Sequence, residues 1–209
     1  MRNKRPREKS GISRRDFLKG FGSGALGAAV VPKLLAQKAE SLSTRAGDVP
    51  VYTRKKIQMR VNGVAHTLVV EPQETLLETL RDRLNLSGSK KICDRGECGG
   101  CTVLLNGFPV YSCMTLTLKA EGTEVTTVEG LARNGTLHPV QKAFIEKNAY
   151  QCGFCTPGFL ITAAALLEKS PDPGLEDIQK ALSGNLCRCG NYVKIHEAVA
   201  EAARQARRG

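Results

Sequence analysis

The chain has 209 residues, with 31 basic and 20 acidic side chains and a formal charge of +11. That length suits one large domain or two small ones. Residues 1–45 hold 11 of the basic and 3 of the acidic side chains, so the positive excess is local to the N-terminus. The near-neutral remainder, with few aromatic residues and no Trp, argues against nucleic-acid binding. No apolar run reaches the ~18–20 residues that a membrane span needs, so we expect no stable span.

The N-terminal segment has the layout of an export signal, in which a basic stretch precedes a short apolar one. Residues 1–19 are basic, and residues 21–31 form a mildly apolar run. At their junction lies a stretch that fits a twin-arginine signal, Ser13-Arg14-Arg15-Asp16-Phe17-Leu18-Lys19. We therefore expect residues 1–45 to be signal and linker, and the protein to be periplasmic, exported by the twin-arginine pathway. The alternative is a loose basic tail on a cytosolic protein.

Residues 54–131 predict a small α+β domain. Two alternating runs flank Asn62-Gly63 and predict a β-hairpin, because both central positions of such a turn need a positive φ. Residues 74–85 change to helical spacing, with leucines on one face and charged side chains on the other. Short strands around Asn106-Gly107 and a further strand candidate over residues 124–128 complete the predicted sheet.

Residues 132–209 predict a second, helical domain. Proline is favoured at the first helical position because its missing N–H is not needed there. Three of the helices are expected to open at a proline, at His138-Pro139, Thr156-Pro157 and Asp172-Pro173, and the last to be capped by Asn191. The expected helices cover residues 139–147, 156–169, 172–182 and 192–207. Four helices in about 70 residues imply a compact bundle.

Eight cysteines fall into two sets of four, one set in each half of the chain. The first set has the spacing C-x4-C-x2-C-x11-C, which begins like that of plant-type [2Fe–2S] ferredoxins. Three glycines among residues 93–101 let backbone N–H groups turn toward sulfur. The second set, C-x2-C-x31-C-x-C, places each pair before a predicted helix, where the helix dipole favours thiolate. The candidate metal ligands are Cys93, Cys98, Cys101 and Cys113 in one set and Cys152, Cys155, Cys187 and Cys189 in the other.

Three interpretations of these sets are open. Disulfides suit a periplasmic protein, and a single Zn²⁺ also binds four thiolates. A Cys-x-Cys pair and a glycine-rich loop are poor places for disulfides, and a chain of this size holds a core without them. A twin-arginine signal suits a protein that folds around a cofactor before export. Two iron–sulfur clusters are therefore favoured over zinc and over disulfides.

Several runs around the cysteines form longer motifs: Cys93-Asp94-Arg95-Gly96-Glu97-Cys98-Gly99-Gly100-Cys101, Tyr111-Ser112-Cys113, His138-Pro139-Val140-Gln141, Gln151-Cys152-Gly153-Phe154-Cys155-Thr156-Pro157-Gly158 and Gly184-Asn185-Leu186-Cys187-Arg188-Cys189. In this order and spacing, the chain resembles the two-[2Fe–2S] subunit of the xanthine oxidase (molybdenum hydroxylase) family over residues 55–205. With its leader, it is similar to the small subunit of periplasmic aldehyde oxidoreductases. One difference is Gly190-Asn191 after the last cysteine, where the family often has Thr-Gly.

This resemblance implies an α+β fold, with a β-grasp ferredoxin-like domain over residues 54–131 and a four-helix [2Fe–2S] domain over residues 132–209. It implies two [2Fe–2S] clusters here and a large partner subunit that holds the molybdopterin cofactor and hydroxylates the substrate. The helical-domain cluster would lie nearest the pterin, with Gln151 contacting it. The implied function is electron transfer through both clusters to an external acceptor, with an FAD subunit as a further candidate partner. A free-standing two-cluster ferredoxin is the alternative.

Overall fold

The structure, a computed structural model, describes residues 53–207 and the single residue 15. The twin-arginine motif and the rest of residues 1–45 lie outside the described residues, apart from that one position. Residues 53–207 belong to one compact unit. Over the part that is described, no helix combines the length and apolar character needed to cross a membrane.

The first half of the unit is built on a five-stranded mixed sheet with the strand order β2–β1–β5–β3–β4. Its central strands β1 and β5 run parallel, and the other neighbouring pairs are antiparallel. Both predicted hairpins are confirmed, and the Asn-Gly residues of each turn have positive φ angles. The strands are β1 (Lys55–Val61), β2 (Val64–Val70), β3 (Thr102–Leu105), β4 (Phe108–Tyr111) and β5 (Glu124–Thr126).

The helix predicted over residues 74–85 is present but changes type along its length. Helix α1 (Leu76–Glu78) makes a single α-helical turn, and Thr79–Arg83 continue it as a π-helical turn. The hydroxyl of Thr79 lies in the core and is 2.8 Å from the hydroxyl of Thr117, on a separate segment. The backbone N–H of Leu84 donates to the carbonyl oxygen of Thr79 and closes the wider turn, which the leucine spacing alone did not predict.

The second half contains the four predicted helices, which are confirmed. They are α2 (Pro139–Glu146), α3 (Thr156–Lys169), α4 (Leu175–Leu182) and α5 (Tyr192–Ala206). Helix α4 begins later than expected because Gly174 is its N-cap, and the backbone N–H of Gly174 donates to the Asp177 carboxylate at 3.1 Å. Helices and a mixed sheet in one unit confirm the α+β class.

Helix α3 links the two halves. Its residues from Gly158 to Ala165 are all buried, as expected for a helix that other elements surround on every side. It packs against the other helices and against strand β3, and Leu104 of β3 belongs to the same apolar cluster as Phe159. Because α3 follows one cysteine pair and β3 follows a cysteine of the other set, this packing brings the two cysteine regions close together.

Candidate metal centres

The β3–β4 hairpin brings the last two cysteines of the first set together. Cys101 directly precedes β3, and Cys113 lies just beyond the end of β4, where Thr102 pairs with Tyr111 across the hairpin. The hydroxyl of Ser112 donates to the carbonyl oxygen of Cys101 at 2.7 Å and ties the two strand ends together. Both cysteine side chains are buried there.

The loop of residues 93–101 turns its backbone N–H groups toward Cys93. Burial opposes ionisation of this thiol, but hydrogen bonds from the N–H groups of Arg95 and Glu97 lower the pKa of Cys93 to about 7. Asp94 and Gly96 have φ angles of 54° and 76°, in the left-handed region that such a tight loop requires. Two of the three glycines, Gly96 and Gly99, thus have the positive φ angles expected from the sequence.

The buried side of the first set favours neutral thiols. Burial, together with the neighbouring Cys101 thiol, raises the pKa of Cys113 to about 11. Burial, and then the charges of the four cysteines in this set, raise the pKa of Tyr111. Thiols of this kind ionise together only when a cation replaces their protons, which is the environment expected of a metal site.

The second set lies at the N-terminal ends of α3 and α5. Cys155 is the N-cap residue of α3, and Cys187 and Cys189 shortly precede α5. Burial, and then the thiol of Cys187, raise the pKa of Cys155 to about 12. The hydroxyl of Tyr192, the first residue of α5, accepts a hydrogen bond from the backbone N–H of Cys187 at 2.9 Å.

The other two thiols of the second set face outward. Cys152 and Cys189 are exposed, and the Sγ atom of Cys189 donates to the Sγ atom of Cys152 at 3.5 Å. The backbone N–H of Phe154 hydrogen-bonds to Cys152 and lowers its pKa. Gln151 is exposed beside them. The second set therefore reaches the protein surface.

Within each set, the four thiols are arranged as two neighbouring pairs. This arrangement suits two metal atoms per set, with one pair of thiols for each metal atom. Two thiolates on one tetrahedral metal ion, with metal–sulfur bonds of about 2.3 Å, lie about 3.8 Å apart. The Cys152–Cys189 distance of 3.5 Å is close to this value. Within residues 53–207, no three His, Cys, Asp or Glu side chains are grouped to hold a single metal ion. The pairs are Cys93 with Cys98, Cys101 with Cys113, Cys152 with Cys189 and Cys155 with Cys187.

The donor set therefore fits a [2Fe–2S] cluster better than a zinc ion, because each iron of such a cluster takes two protein thiolates. All eight cysteines are free, so no disulfide joins any of them. The structure thus brings the thiols of each predicted set together in pairs.

Two polar residues near the cysteines were missed as functional candidates. Tyr111 and Asn185 stand in the quoted motifs, but the sequence assigned them no role. In the structure, the Asn185 side chain donates to the carbonyl oxygen of Gly99 at 3.0 Å, across 86 residues of sequence. The Tyr111 hydroxyl donates to the carbonyl oxygen of Gly184 at 2.6 Å. Their only local indication was their position two residues before a cysteine.

Two family models match the described unit. Residues 59–132 match the 2Fe-2S iron-sulfur cluster binding domain, and residues 127–200 match the [2Fe-2S] binding domain. The chain is 48% identical to the nicotinate dehydrogenase small FeS subunit of Eubacterium barkeri, over 68% of this chain and 91% of that protein. It is 38% identical to the aldehyde oxidoreductase iron-sulfur-binding subunit PaoA of Escherichia coli (strain K12), over 92% of this chain and 88% of that protein.

Solved structures of oxidoreductases also resemble this chain in fold and sequence. Quinoline 2-oxidoreductase from Pseudomonas putida 86 superposes with a TM-score of 0.71 at 41% identity, over 76% of this chain and 99% of that chain. The aldehyde oxidoreductase from Desulfovibrio desulfuricans also gives a TM-score of 0.71 at 41% identity, over 73% of this chain and 17% of that chain.

The fold and the two matched domains define an iron–sulfur protein that binds two [2Fe–2S] clusters. The chain belongs to the family of small iron–sulfur subunits of the xanthine oxidase-type molybdenum hydroxylases. The resemblance drawn from the cysteine motifs is therefore confirmed.

Proposed function

We propose that this chain is the electron-transfer subunit of a molybdenum-containing hydroxylase of the aldehyde oxidoreductase type. It relays electrons from the molybdenum cofactor of a large partner subunit, through two [2Fe–2S] clusters, to an external acceptor. The observation that carries this proposal is two sets of paired thiols, held close together within one compact unit. When bound, each cluster takes up and gives up one electron at a time. The chain itself positions the clusters and tunes their surroundings, and no catalytic residue is assigned to it.

We assign Cys93, Cys98, Cys101 and Cys113 to one cluster, and Cys152, Cys155, Cys187 and Cys189 to the other. The pairwise contacts between the thiols support this assignment. The backbone N–H groups that surround Cys93 would stabilise the negative charge of a bound cluster and raise its potential. The N-terminal ends of α3 and α5 would do the same for the second cluster.

The partner is proposed to be a large subunit that holds the molybdenum cofactor, with an FAD subunit as a further candidate. In the aldehyde oxidoreductases of Desulfovibrio desulfuricans and Megalodesulfovibrio gigas, the matching region is only 17% and 16% of one long chain. In the Eubacterium barkeri and Escherichia coli relatives, it is most of a chain named as a subunit. A second polypeptide would therefore supply here what those long chains contain within themselves.

The surface around the second cysteine set is the proposed contact with that subunit. Phe154 and Leu186 flank these cysteines and are 59% and 51% exposed. Large exposed apolar side chains next to the cysteines of a cofactor site favour a protein interface. Gln151 lies at the same surface, and we propose that it contacts the pterin of the partner's cofactor.

We further propose that the protein is periplasmic and exported by the twin-arginine pathway, with residues 1–45 as signal and linker. The alignment with PaoA of Escherichia coli covers 92% of this chain, more than residues 53–207 account for, so it extends into the N-terminal segment. The domain division proposed is a β-grasp ferredoxin-like domain over residues 54–131 and a four-helix bundle over residues 132–209. The parallel pairing of β1 with β5 and the contacts among α2–α5 support it.

Metal and sulfide analysis of anaerobically prepared protein tests the proposal. We expect about four iron atoms and about four acid-labile sulfides per chain. We also expect co-purification with a large molybdenum-containing subunit. Colourless protein that contains zinc, or neither metal nor sulfide, would contradict the electron-transfer function. A stable, iron-loaded monomer with no molybdenum partner would instead indicate the free-standing ferredoxin.

A further inference from the structure

Three hydrogen bonds of 3.0 Å or less join the first cysteine region to residues 184–186, which precede Cys187 of the second set; residues 93–101 and residues 184–189 are called the two cysteine loops below. The backbone N–H of Leu186 donates to the carbonyl oxygen of Cys98 at 2.9 Å. The side-chain amide of Asn185 donates to the carbonyl oxygen of Gly99 at 3.0 Å, and the Tyr111 hydroxyl donates to that of Gly184 at 2.6 Å. Every one of these residues lies within three positions of a cysteine in the printed sequence. The first bond joins a cysteine of the first set to the residue that precedes Cys187 of the second.

The two loops approach so closely that only glycine fits between them. A Cβ atom built on Gly99 would lie 2.5 Å from the side-chain nitrogen of Asn185 and from the carbonyl oxygen of Gly184. A Cβ atom built on Gly184 would lie 2.3 Å from the hydroxyl oxygen of Tyr111. The two segments therefore lie in close contact around the hydrogen bonds.

The Asn185 side chain is well suited to hold this arrangement. It is only 5% exposed, and a buried amide without a partner is unfavourable. Its acceptor, the carbonyl oxygen of Gly99, is fixed in turn by the backbone N–H and the hydroxyl of Thr102, at 3.1 and 2.6 Å. The Tyr111 hydroxyl bonds to the carbonyl oxygen of Gly184, next to Asn185, and the position of Tyr111 is set by the pairing of β3 with β4.

We propose that Tyr111 and Asn185 are positioning residues that lock the two cysteine loops together and so set the distance for electron transfer between the two [2Fe–2S] sites. This inference rests on the proposed function. Each transfer moves one electron from one site to the other, so one site is oxidised and the other reduced by the same electron. No bond forms or breaks, and no proton passes through Tyr111 or Asn185.

The test uses the holoprotein and the variants Tyr111→Phe and Asn185→Ala, with Tyr150→Phe as the matched control. Tyr150 is 45% exposed, so its hydroxyl can be removed without opening the contact between the loops. Hydrogen–deuterium exchange reports on the Leu186 amide, and electron paramagnetic resonance of the fully reduced protein reports on the magnetic interaction between the clusters. Iron and sulfide content establishes that both sites are filled.

We expect the Leu186 amide to exchange about five-fold faster in each of the two variants, since one hydrogen bond that holds the loops is lost. We also expect a weaker magnetic interaction between the clusters and slower electron transfer from one to the other. Tyr150→Phe should match the wild type in all three measurements. Should Asn185→Ala fail to fold, Tyr111→Phe, which removes one hydroxyl, decides the question.

Two negative results are distinguishable. Fully loaded variants with unchanged exchange at Leu186 and an unchanged magnetic interaction would overturn the positioning role and leave the proposed function intact. A wild-type protein without iron and sulfide would overturn the proposed function itself, and the positioning role with it.

Discussion

Gly158, in the first turn of α3, packs against Gly99 and Asn185, so we predict that Gly158→Ala destabilises the protein. In an ordinary exposed helix, replacing Gly with Ala stabilises by about 1 kcal/mol. Here the new Cβ atom would lie 2.1 Å from the carbonyl oxygen of Gly99 and 2.9 Å from the side-chain nitrogen of Asn185. Overpacking a tight site costs about 1–3 kcal/mol, and a contact with backbone this short belongs at the upper end. The expected net effect is therefore a loss of about 2 kcal/mol.

Thermal unfolding of the holoprotein measures this effect. For a chain of this size, a loss of about 2 kcal/mol lowers Tm by about 4–8 °C. The visible absorbance of the clusters and far-ultraviolet circular dichroism follow the site and the helices separately. In the variant, we expect the visible absorbance to be lost at a lower temperature than the circular dichroism signal, because the substitution pushes the two cysteine loops apart.

Gly174→Ala is the matched control for this experiment. A Cβ atom at Gly174 meets the Asp177 carboxylate at 3.5 Å, an ordinary contact, and the φ angle there is −68°. The cost of replacing an N-cap glycine with alanine is about 1 kcal/mol or less. If Gly158→Ala were as stable as the wild type, or more so, helix propensity would outweigh the loop contact and the reasoning would be wrong.

Three further predictions concern the second cluster, pH and the core. Cys189→Ser should remove the cluster of the helical half, leave the other cluster intact and uncouple substrate oxidation from the acceptor, as measured by electron paramagnetic resonance and turnover assays. Burial, together with the positive charge of Arg133, lowers the pKa of His138 in the folded protein. As the pH falls below about 6.5, the unfolded chain therefore binds a proton at this histidine before the folded protein does, and the free energy of unfolding decreases. His138→Asn, which keeps an N-cap side chain, should therefore flatten urea-unfolding stability between about pH 7.5 and 5.5. Phe144→Ala, at a side chain only 2% exposed, should cost about 3–5 kcal/mol in urea unfolding.

Each of these predictions has a result that contradicts it. Unchanged signals from both clusters in Cys189→Ser would remove that residue from the ligand set. Identical pH slopes in the wild type and in His138→Asn would show that His138 has the same pKa in the folded and unfolded states. His196, whose pKa burial also lowers, would keep a residual slope in both proteins. Ile145→Ala, at a neighbouring side chain that is 54% exposed, is the control for Phe144 and should change stability little.

The sequence by itself predicted the parts that depend on short stretches of chain. The Asn-Gly turns and the helices that open at proline follow from the φ angles those residues allow, so the hairpins and most helix boundaries were predictable. The same turn chemistry predicts that Cys113 returns to Cys101, because only one hairpin separates them. The spacing of the eight cysteines, with the residues between them, was enough to indicate the family.

Only the tertiary structure decided which distant segments meet. The pairing of Cys152 with Cys189, the contact of Thr79 with Thr117 and the contact of Asn185 with Gly99 all join residues far apart in the chain. Local preferences carry no information about such contacts, because they form when apolar faces such as that of α3 are buried against other elements. The distance between the two cysteine loops is a product of that packing, which is why Tyr111 and Asn185 had no recognisable role until the fold was known.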